Sequence, residues 1–136
     1  MPAASVLRIE TTKGIGNDCA ILALARYLGL SYFDVLQQAV LAKGRPIEDG
    51  GGLSVAQIKA VATALGTPLI LKRQFDPDEA YGIVVLHDHT VILRNGLAFD
   101  ADGRVWDWDE WHASYQASKK TKWQRGYLRL LVARGE

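Results

Sequence analysis

The spacing of apolar positions changes character halfway along the chain. In the first half, apolar residues recur at helical spacing in three stripes, which predict three helices beginning after Asn17, Ser31 and Ser54. Ser31 and Ser54 each stand three residues before a capping partner, so their hydroxyls are expected to cap the second and third helices. Gly29 and Gly66 are expected to end the first and third, since glycine readily adopts the left-handed conformation found at helix ends.

Short apolar runs predict strands in the second half. Asn95-Gly96 and Asp102-Gly103 indicate hairpin turns, because asparagine, aspartate and glycine tolerate positive φ. A short helix is predicted over residues 107–117. The fold class is therefore predicted to be α+β, with N-terminal helices packed on a C-terminal antiparallel β-sheet. The predicted strands are 68–72, 82–86, 90–93, 97–99, 105–106 and 127–132.

The composition narrows the class of protein. With 136 residues, 49% of them hydrophobic and 23% charged, the chain is expected to form one domain over residues 1–136. A net charge of +1 argues against a nucleic-acid or anionic-membrane partner. No apolar run approaches the roughly 18 residues of a membrane span, and the first residues do not resemble a signal peptide. We therefore expect a cytoplasmic location and no membrane association.

The one cysteine stands where a polar loop meets an apolar helix. Cys19 cannot form an intramolecular disulfide, and it directly follows Asn17-Asp18. Either Asn17 or Asp18 can cap the helix. A helix N-terminus stabilises a thiolate, which is the nucleophilic form of cysteine. The competing interpretation is a small buried hydrophobe, but the position after two polar residues favours a functional thiol.

A histidine and an aspartate are predicted to meet across the Asn95-Gly96 hairpin. Pairing residues symmetrically about this turn places His89 near positions 100 to 102, so Asp100 or Asp102 comes within its reach. If the register shifts, His87 becomes the candidate base instead. His87, His89 and Asp100 also suit a metal ion, but the spacing of common metal motifs is missing, so we expect no metal and no cofactor.

Three segments together resemble a known family. They are Asn17-Asp18-Cys19-Ala20 before an apolar helix, residues 82–93 with a strand beginning near His89, and residues 99–103 around Asp100. In this order they resemble the papain-like double-glycine leader peptidases, which are fused to bacteriocin exporters and have stand-alone relatives. The resemblance covers roughly residues 12–105. It implies a papain-like fold, with Cys19 as nucleophile, His89 as general base and Asp100 as the acid that orients it.

One position departs from the family pattern. The family carries a glutamine six residues before the nucleophile, where its side chain completes the oxyanion hole, and this chain has Lys13 there. Asn17 or Lys13 is the candidate replacement donor, together with the backbone N–H of Cys19. Loss of one such donor typically costs a factor of about 100 to 1,000 in rate. Candidate residues of the substrate cleft are Gly51, Gly52 and Trp108, and Trp111 is the other tryptophan suited to its rim.

The expected function is hydrolysis of a peptide or isopeptide amide bond by a Cys19-His89-Asp100 triad, with a peptide or protein as substrate. One alternative is a papain-like binding module with weak or no catalysis, which the lysine at position 13 favours. Another is deamidation or acyl transfer by the same triad. The sequence carries no signal for the oligomeric state.

Overall fold

Three helices precede a six-stranded sheet in the computed structural model, which describes residues 18–44, 53–100 and 103–134. The helices are α1 (Cys19–Leu28), α2 (Tyr32–Lys43) and α3 (Val55–Ala64). The strands that follow are β1 (Leu69–Lys72), β2 (Tyr81–Leu86), β3 (Thr90–Arg94), β4 (Leu97–Phe99) and β5 (Val105–Asp107). The last elements are α4 (Trp108–Ala117), α5 (Lys122–Gly126) and β6 (Leu128–Ala133).

The helix ends follow the local sequence signals. Ser54 and Gln57 form a complete capping box at the start of α3, and the Ser31 hydroxyl accepts a hydrogen bond from the backbone N–H of Asp34 at the start of α2. Gly29 ends α1 with a φ of 71°, in the left-handed region where glycine carries no steric penalty. These three predictions are confirmed, since each depends only on residues within one turn of the helix end.

The sheet is antiparallel throughout, with the strand order β1-β6-β2-β3-β4-β5. The last strand of the chain therefore lies between the first two. The predicted hairpin at Asn95-Gly96 joins β3 to β4, with φ values of 49° and 81°, and pairs Arg94 with Leu97. The predicted α+β class, with N-terminal helices on an antiparallel sheet, is confirmed.

Alternate side chains of the strands enter two separate hydrophobic cores. Ile83, Val85 and Ile92 pack against α1, α2 and α3 on one face of the sheet. Val84 and Val91 belong to the other face, where α4 covers the sheet with two tryptophans. This follows from the two-residue period of a strand. α4 and α1 lie on opposite faces of the sheet, so side chains from both helices can meet at an end of the strands between them.

Candidate active site

Cys19 is the first residue of α1, and its side chain is partly exposed. Asp18 occupies the cap position before it, but the Asp18 carboxylate accepts a hydrogen bond from Tyr32 Oη, 2.9 Å away, rather than from a helix N–H. Burial raises the pKa of Asp18, and the hydrogen bond from Tyr32 opposes that rise. The prediction that Asp18 is a side-chain cap is therefore wrong, because this carboxylate is turned into the core. The other candidate, Asn17, lies outside the described residues.

His89 and Asp100 meet as the hairpin register predicts. His89 Nε2 lies 2.7 Å from Asp100 Oδ1. The pairing of Ile92 with Phe99, continued by one residue, places Asp100 opposite Val91. Val91 and His89 are two positions apart, so their side chains point to the same side of the strand. The carboxylate thus reaches the ring diagonally across the two strands.

Cys19 and His89 lie at the same cavity. His89 Nε2 is bonded to Asp100, and both the Cys19 and the His89 side chains line the cavity. Burial of the ring opposes its charge, but the hydrogen bonds and charges of Asp100 and Cys19 outweigh burial and raise the pKa of His89 to about 10. The surroundings therefore favour an imidazolium beside the sulfur, the state that a thiolate–imidazolium pair requires.

Both helical layers hold Asp100 in place. From α4, Trp111 Nε1 donates a hydrogen bond to Asp100 Oδ2 at 3.1 Å, and its ring stacks on His89 with centroids 5.8 Å apart. From α1, a guanidinium nitrogen of Arg26 donates to the Asp100 carbonyl oxygen at 2.9 Å. Arg26 and Cys19 are separated by two helical turns, so they lie on one face of α1. The same helix therefore presents the thiol and fixes the end of β4.

His87 lies in the turn between β2 and β3, two residues before His89. The Leu86 N–H donates to the His89 carbonyl at 2.8 Å, which leaves His87 and Asp88 as the two turn residues. The His87 ring packs edge-on against Trp123, with centroids 4.9 Å apart, and its Nδ1 has no hydrogen-bond partner within the described chain. The notional register shift that would make His87 the base does not occur, because the hairpin brings His89 rather than His87 to Asp100.

The end of α4 anchors this turn. Tyr115 Oη donates to Asp88 Oδ1 at 2.7 Å and accepts from the Asp88 N–H at 3.3 Å, while Lys119 Nζ lies 2.6 Å from Asp88 Oδ2. Burial opposes the charge of Asp88, but the hydrogen bonds from Lys119 and Tyr115 lower its pKa. Burial and the hydrogen bond to Asp88 raise the pKa of Tyr115 to about 12. A neutral tyrosine and an ion pair thus fix the residue that precedes His89.

Two cavities meet at His89. The first, which we call the thiol pocket, has a volume of about 410 Å³ and contains Cys19. The second, which we call the aromatic groove, has a volume of about 550 Å³ and extends from His89 and Asp100 along α4. The thiol pocket is lined mainly by Cys19, Leu53, Gln57, Leu86, His87 and His89. The aromatic groove is lined by Trp106, Glu110, Trp111, Ser114, Tyr115 and Ser118.

Trp108, the predicted substrate-cleft residue that the structure describes, does not reach this centre. Trp108 is only 4% exposed and lines neither cavity, since it faces the sheet one turn before Trp111 and stacks on His112. Its assignment to the substrate cleft is corrected accordingly. The remaining candidates lie outside the described residues, and they are Lys13, Asn17, Gly51, Gly52 and Asp102.

The sequence analysis missed Arg26 and Tyr115, and it considered Trp111 only for the rim of the substrate cleft. Arg26 had a readable signal, because its seven-residue spacing from Cys19 places it on the same helix face. Trp111 and Tyr115 had no local signal, since their roles depend on which face of the sheet α4 covers. The roles of Trp111 and Tyr115 can be predicted only when the tertiary packing of α4 is known.

Comparisons with protein-family models, with curated proteins and with solved structures find no match for this chain. Within the described residues, no group of three or more histidine, cysteine, aspartate or glutamate side chains is placed to hold a metal ion. None of the helices in the described ranges is both long and apolar enough to cross a membrane. The chemistry of the site therefore has to be argued from its own geometry.

Proposed function

We propose that this protein is a papain-like cysteine hydrolase that cleaves an amide bond in a peptide or protein. One observation carries the proposal: His89 Nε2 lies 2.7 Å from Asp100 Oδ1, and His89 lines the same cavity as Cys19. A nucleophile, a base and a carboxylate bonded to that base are the components of a catalytic triad. The start of a helix, the start of a strand and the end of another strand provide the three groups.

In the proposed reaction, the Cys19 sulfur attacks the amide carbon and forms a C–S bond. His89, charged in the resting pair, gives its proton to the leaving nitrogen as the C–N bond breaks, and a thioester remains. A water molecule then loses a proton to His89 and its oxygen attacks the thioester carbon. The C–S bond breaks, which releases the carboxylic acid and regenerates the Cys19 thiolate beside the charged ring. Asp100 keeps the ring oriented and stabilises its charge in both steps.

The start of α1 also offers donors for the carbonyl oxygen of the substrate. The first backbone N–H groups of a helix have no acceptor within it, and the Asp18 side chain does not accept from them because it is bonded to Tyr32. The N–H of Cys19 lies next to the attacking sulfur, so it suits an oxyanion that forms during attack. A second donor, from Asn17 or Lys13, remains part of the proposal.

Alkylation of Cys19 by iodoacetamide at pH 6, followed by intact mass, tests the proposal. A free cysteine is almost entirely a thiol at this pH, so a thiolate–imidazolium pair should make Cys19 react more than about tenfold faster than free cysteine. His89→Ala should bring the rate down to that of free cysteine. His87→Ala is the matched control, since it removes a neighbouring imidazole that packs against Trp123, and it should keep the fast reaction.

A wild-type thiol that reacts like free cysteine would contradict the catalytic proposal and favour a binding module. Product analysis then separates hydrolysis from related reactions. Hydrolysis leaves new amino and carboxyl termini in a peptide, deamidation changes the mass of a glutamine or asparagine side chain, and acyl transfer joins the acyl group to an added amine. Cys19→Ala should abolish whichever product forms.

A further inference from the structure

We propose that the aromatic groove binds the side chain of a lysine or arginine immediately after the bond that is cut. This inference rests on the proposed hydrolase function, and it adds a preference for the leaving group. The groove extends from His89 and Asp100 along one side of α4, on the opposite face of the sheet from the helix that carries Cys19.

The position of His89 assigns the groove to the leaving-group side. The imidazole must lie within hydrogen-bond reach of the leaving nitrogen to protonate it. The chain that follows the cut bond therefore starts at His89, whereas the acyl part stays attached to Cys19. Because His89 lines both cavities, the first side chain beyond the cut bond lies at the entrance of the aromatic groove.

The lining suits a cation. Trp106, Trp111 and Tyr115 line the groove together with Glu110. Aromatic rings attract ammonium and guanidinium groups, and two of these rings already do so, since the Arg104 guanidinium lies 5.9 Å from the Trp106 centroid and Lys119 Nζ lies 4.7 Å from the Tyr115 centroid. The groove volume of about 550 Å³ is within the usual range for ligand sites.

The charges of the groove favour the same ligand. Among the described residues no lysine or arginine lines it, and the charged His89 ring at its entrance is paired with Asp100. The Glu110 carboxylate has no hydrogen bond or ion pair within the described parts of the chain. The nearby Lys119 is already paired with Asp88 at 2.6 Å. An aliphatic side chain in the groove would take water away from Glu110 without replacing its hydrogen bonds. An acidic side chain would be repelled, so lysine and arginine fit best.

The test uses the full chain and a peptide library made by cutting a proteome after acidic residues, which leaves lysine and arginine inside the peptides. New amino termini are identified by mass spectrometry, and those that also appear with Cys19→Ala are subtracted. We expect lysine and arginine to be enriched about fivefold at the first position after the cut, which corresponds to one cation–π contact assisted by a carboxylate.

Two variants of Glu110 examine the groove itself. Glu110→Gln should lower the enrichment of lysine and arginine by about threefold, and Glu110→Lys should shift the preference toward aspartate and glutamate. Asp109→Asn is the matched control, because Asp109 is an exposed acid in the same helical turn that does not line the groove, and the enrichment should stay unchanged. Cleavage without enrichment, or enrichment unaffected by both Glu110 variants, overturns this inference and leaves the hydrolase intact. Absence of any cleavage by the wild type overturns both.

Discussion

Replacing Asp100 with asparagine tests the charge of the carboxylate that orients His89. Asp100→Asn keeps the size of the side chain, and its amide oxygen can take the place of Oδ1, which lies 2.7 Å from His89 Nε2. The hydrogen bond from Arg26 to the backbone carbonyl of this residue is unchanged. What disappears is the negative charge beside the His89 ring, together with the acceptor for Trp111 Nε1, because the amide nitrogen replaces Oδ2.

The expected size of the effect follows from the type of hydrogen bond that is lost. A hydrogen bond to a charged group contributes about 1.5–3 kcal/mol, against about 1 kcal/mol for a neutral pair. The difference of about 0.5–2 kcal/mol corresponds to a factor of roughly 2 to 30 in the population of the ion pair. The charge of Asp100 also acts on the ring through space, so we place the loss in the upper part of this range, near tenfold.

The assay measures the rate of Cys19 alkylation by iodoacetamide from pH 5 to pH 9. In the wild type, the fast reaction should persist at low pH if Cys19 and His89 form the proposed ion pair. In Asp100→Asn, the rate at pH 6 should fall about tenfold, while the rates at pH 9 converge as the thiolate forms without help. Asp109→Asn makes the same chemical change at an exposed site and should leave the profile unaltered.

A specific outcome would refute this reasoning. If Asp100→Asn folds with the wild-type unfolding midpoint and alkylates at pH 6 within about twofold of the wild type, the carboxylate does not stabilise the charged ring. Asp100 would then serve only to close the hairpin, and the proposed triad would reduce to a pair of Cys19 and His89.

Three further predictions concern stability and the surroundings of the site. The pKa of His89 is raised from 6.5 to about 10, so the stability that its charge contributes is complete below pH 6.5 and is lost as the pH rises toward 10. In urea unfolding, the difference in unfolding free energy between the wild type and His89→Gln should therefore shrink from pH 6.5 to pH 10. A difference that stays constant over this range would contradict the prediction. Trp111→Phe keeps an aromatic ring on His89 but removes the N–H that donates to the Asp100 carboxylate. This change should lower the unfolding free energy by about 1–3 kcal/mol and slow the alkylation of Cys19 at pH 6. An unchanged alkylation rate would argue against a positioning role for Trp111. In Gly82→Ala the new Cβ would lie 2.6 Å from the Leu131 carbonyl oxygen, so urea unfolding should show an unfolding free energy lower by about 1–3 kcal/mol. Gly126→Ala is the control, because its Cβ would have nothing within 4 Å and the unfolding free energy should change by less than about 0.5 kcal/mol.

Local signals predicted the elements that depend on neighbouring residues. The capping box of Ser54 and Gln57 and the turn at Asn95-Gly96 were readable because their geometry is decided within four residues. The meeting of His89 with Asp100 was also accessible, since a tight turn determines the register of a hairpin. A second capping box, at Thr121, begins the short helix α5 and was overlooked.

Features that depend on tertiary packing could not be predicted in the same way. The place of β6 between β1 and β2 joins strands that are far apart in the chain, and no local pattern encodes that pairing. The side on which α4 packs decides that Trp111 reaches Asp100 while Trp108 enters the core. Asp18 shows the same limit, because the Tyr32 hydroxyl competes successfully for a carboxylate that the helix start alone would have claimed.

The assembly of the site from distant parts of the chain has a consequence for biosynthesis. Arg26 and Asp100 lie 74 positions apart, and Trp111 emerges from the ribosome later still. Contacts over such separations form only after the intervening chain is available. During translation, Cys19 therefore has no imidazole beside it and behaves as an ordinary thiol. The fast alkylation expected of the proposed triad should therefore begin only when the C-terminal half has folded. Cys19 in an incomplete chain would react as slowly as free cysteine.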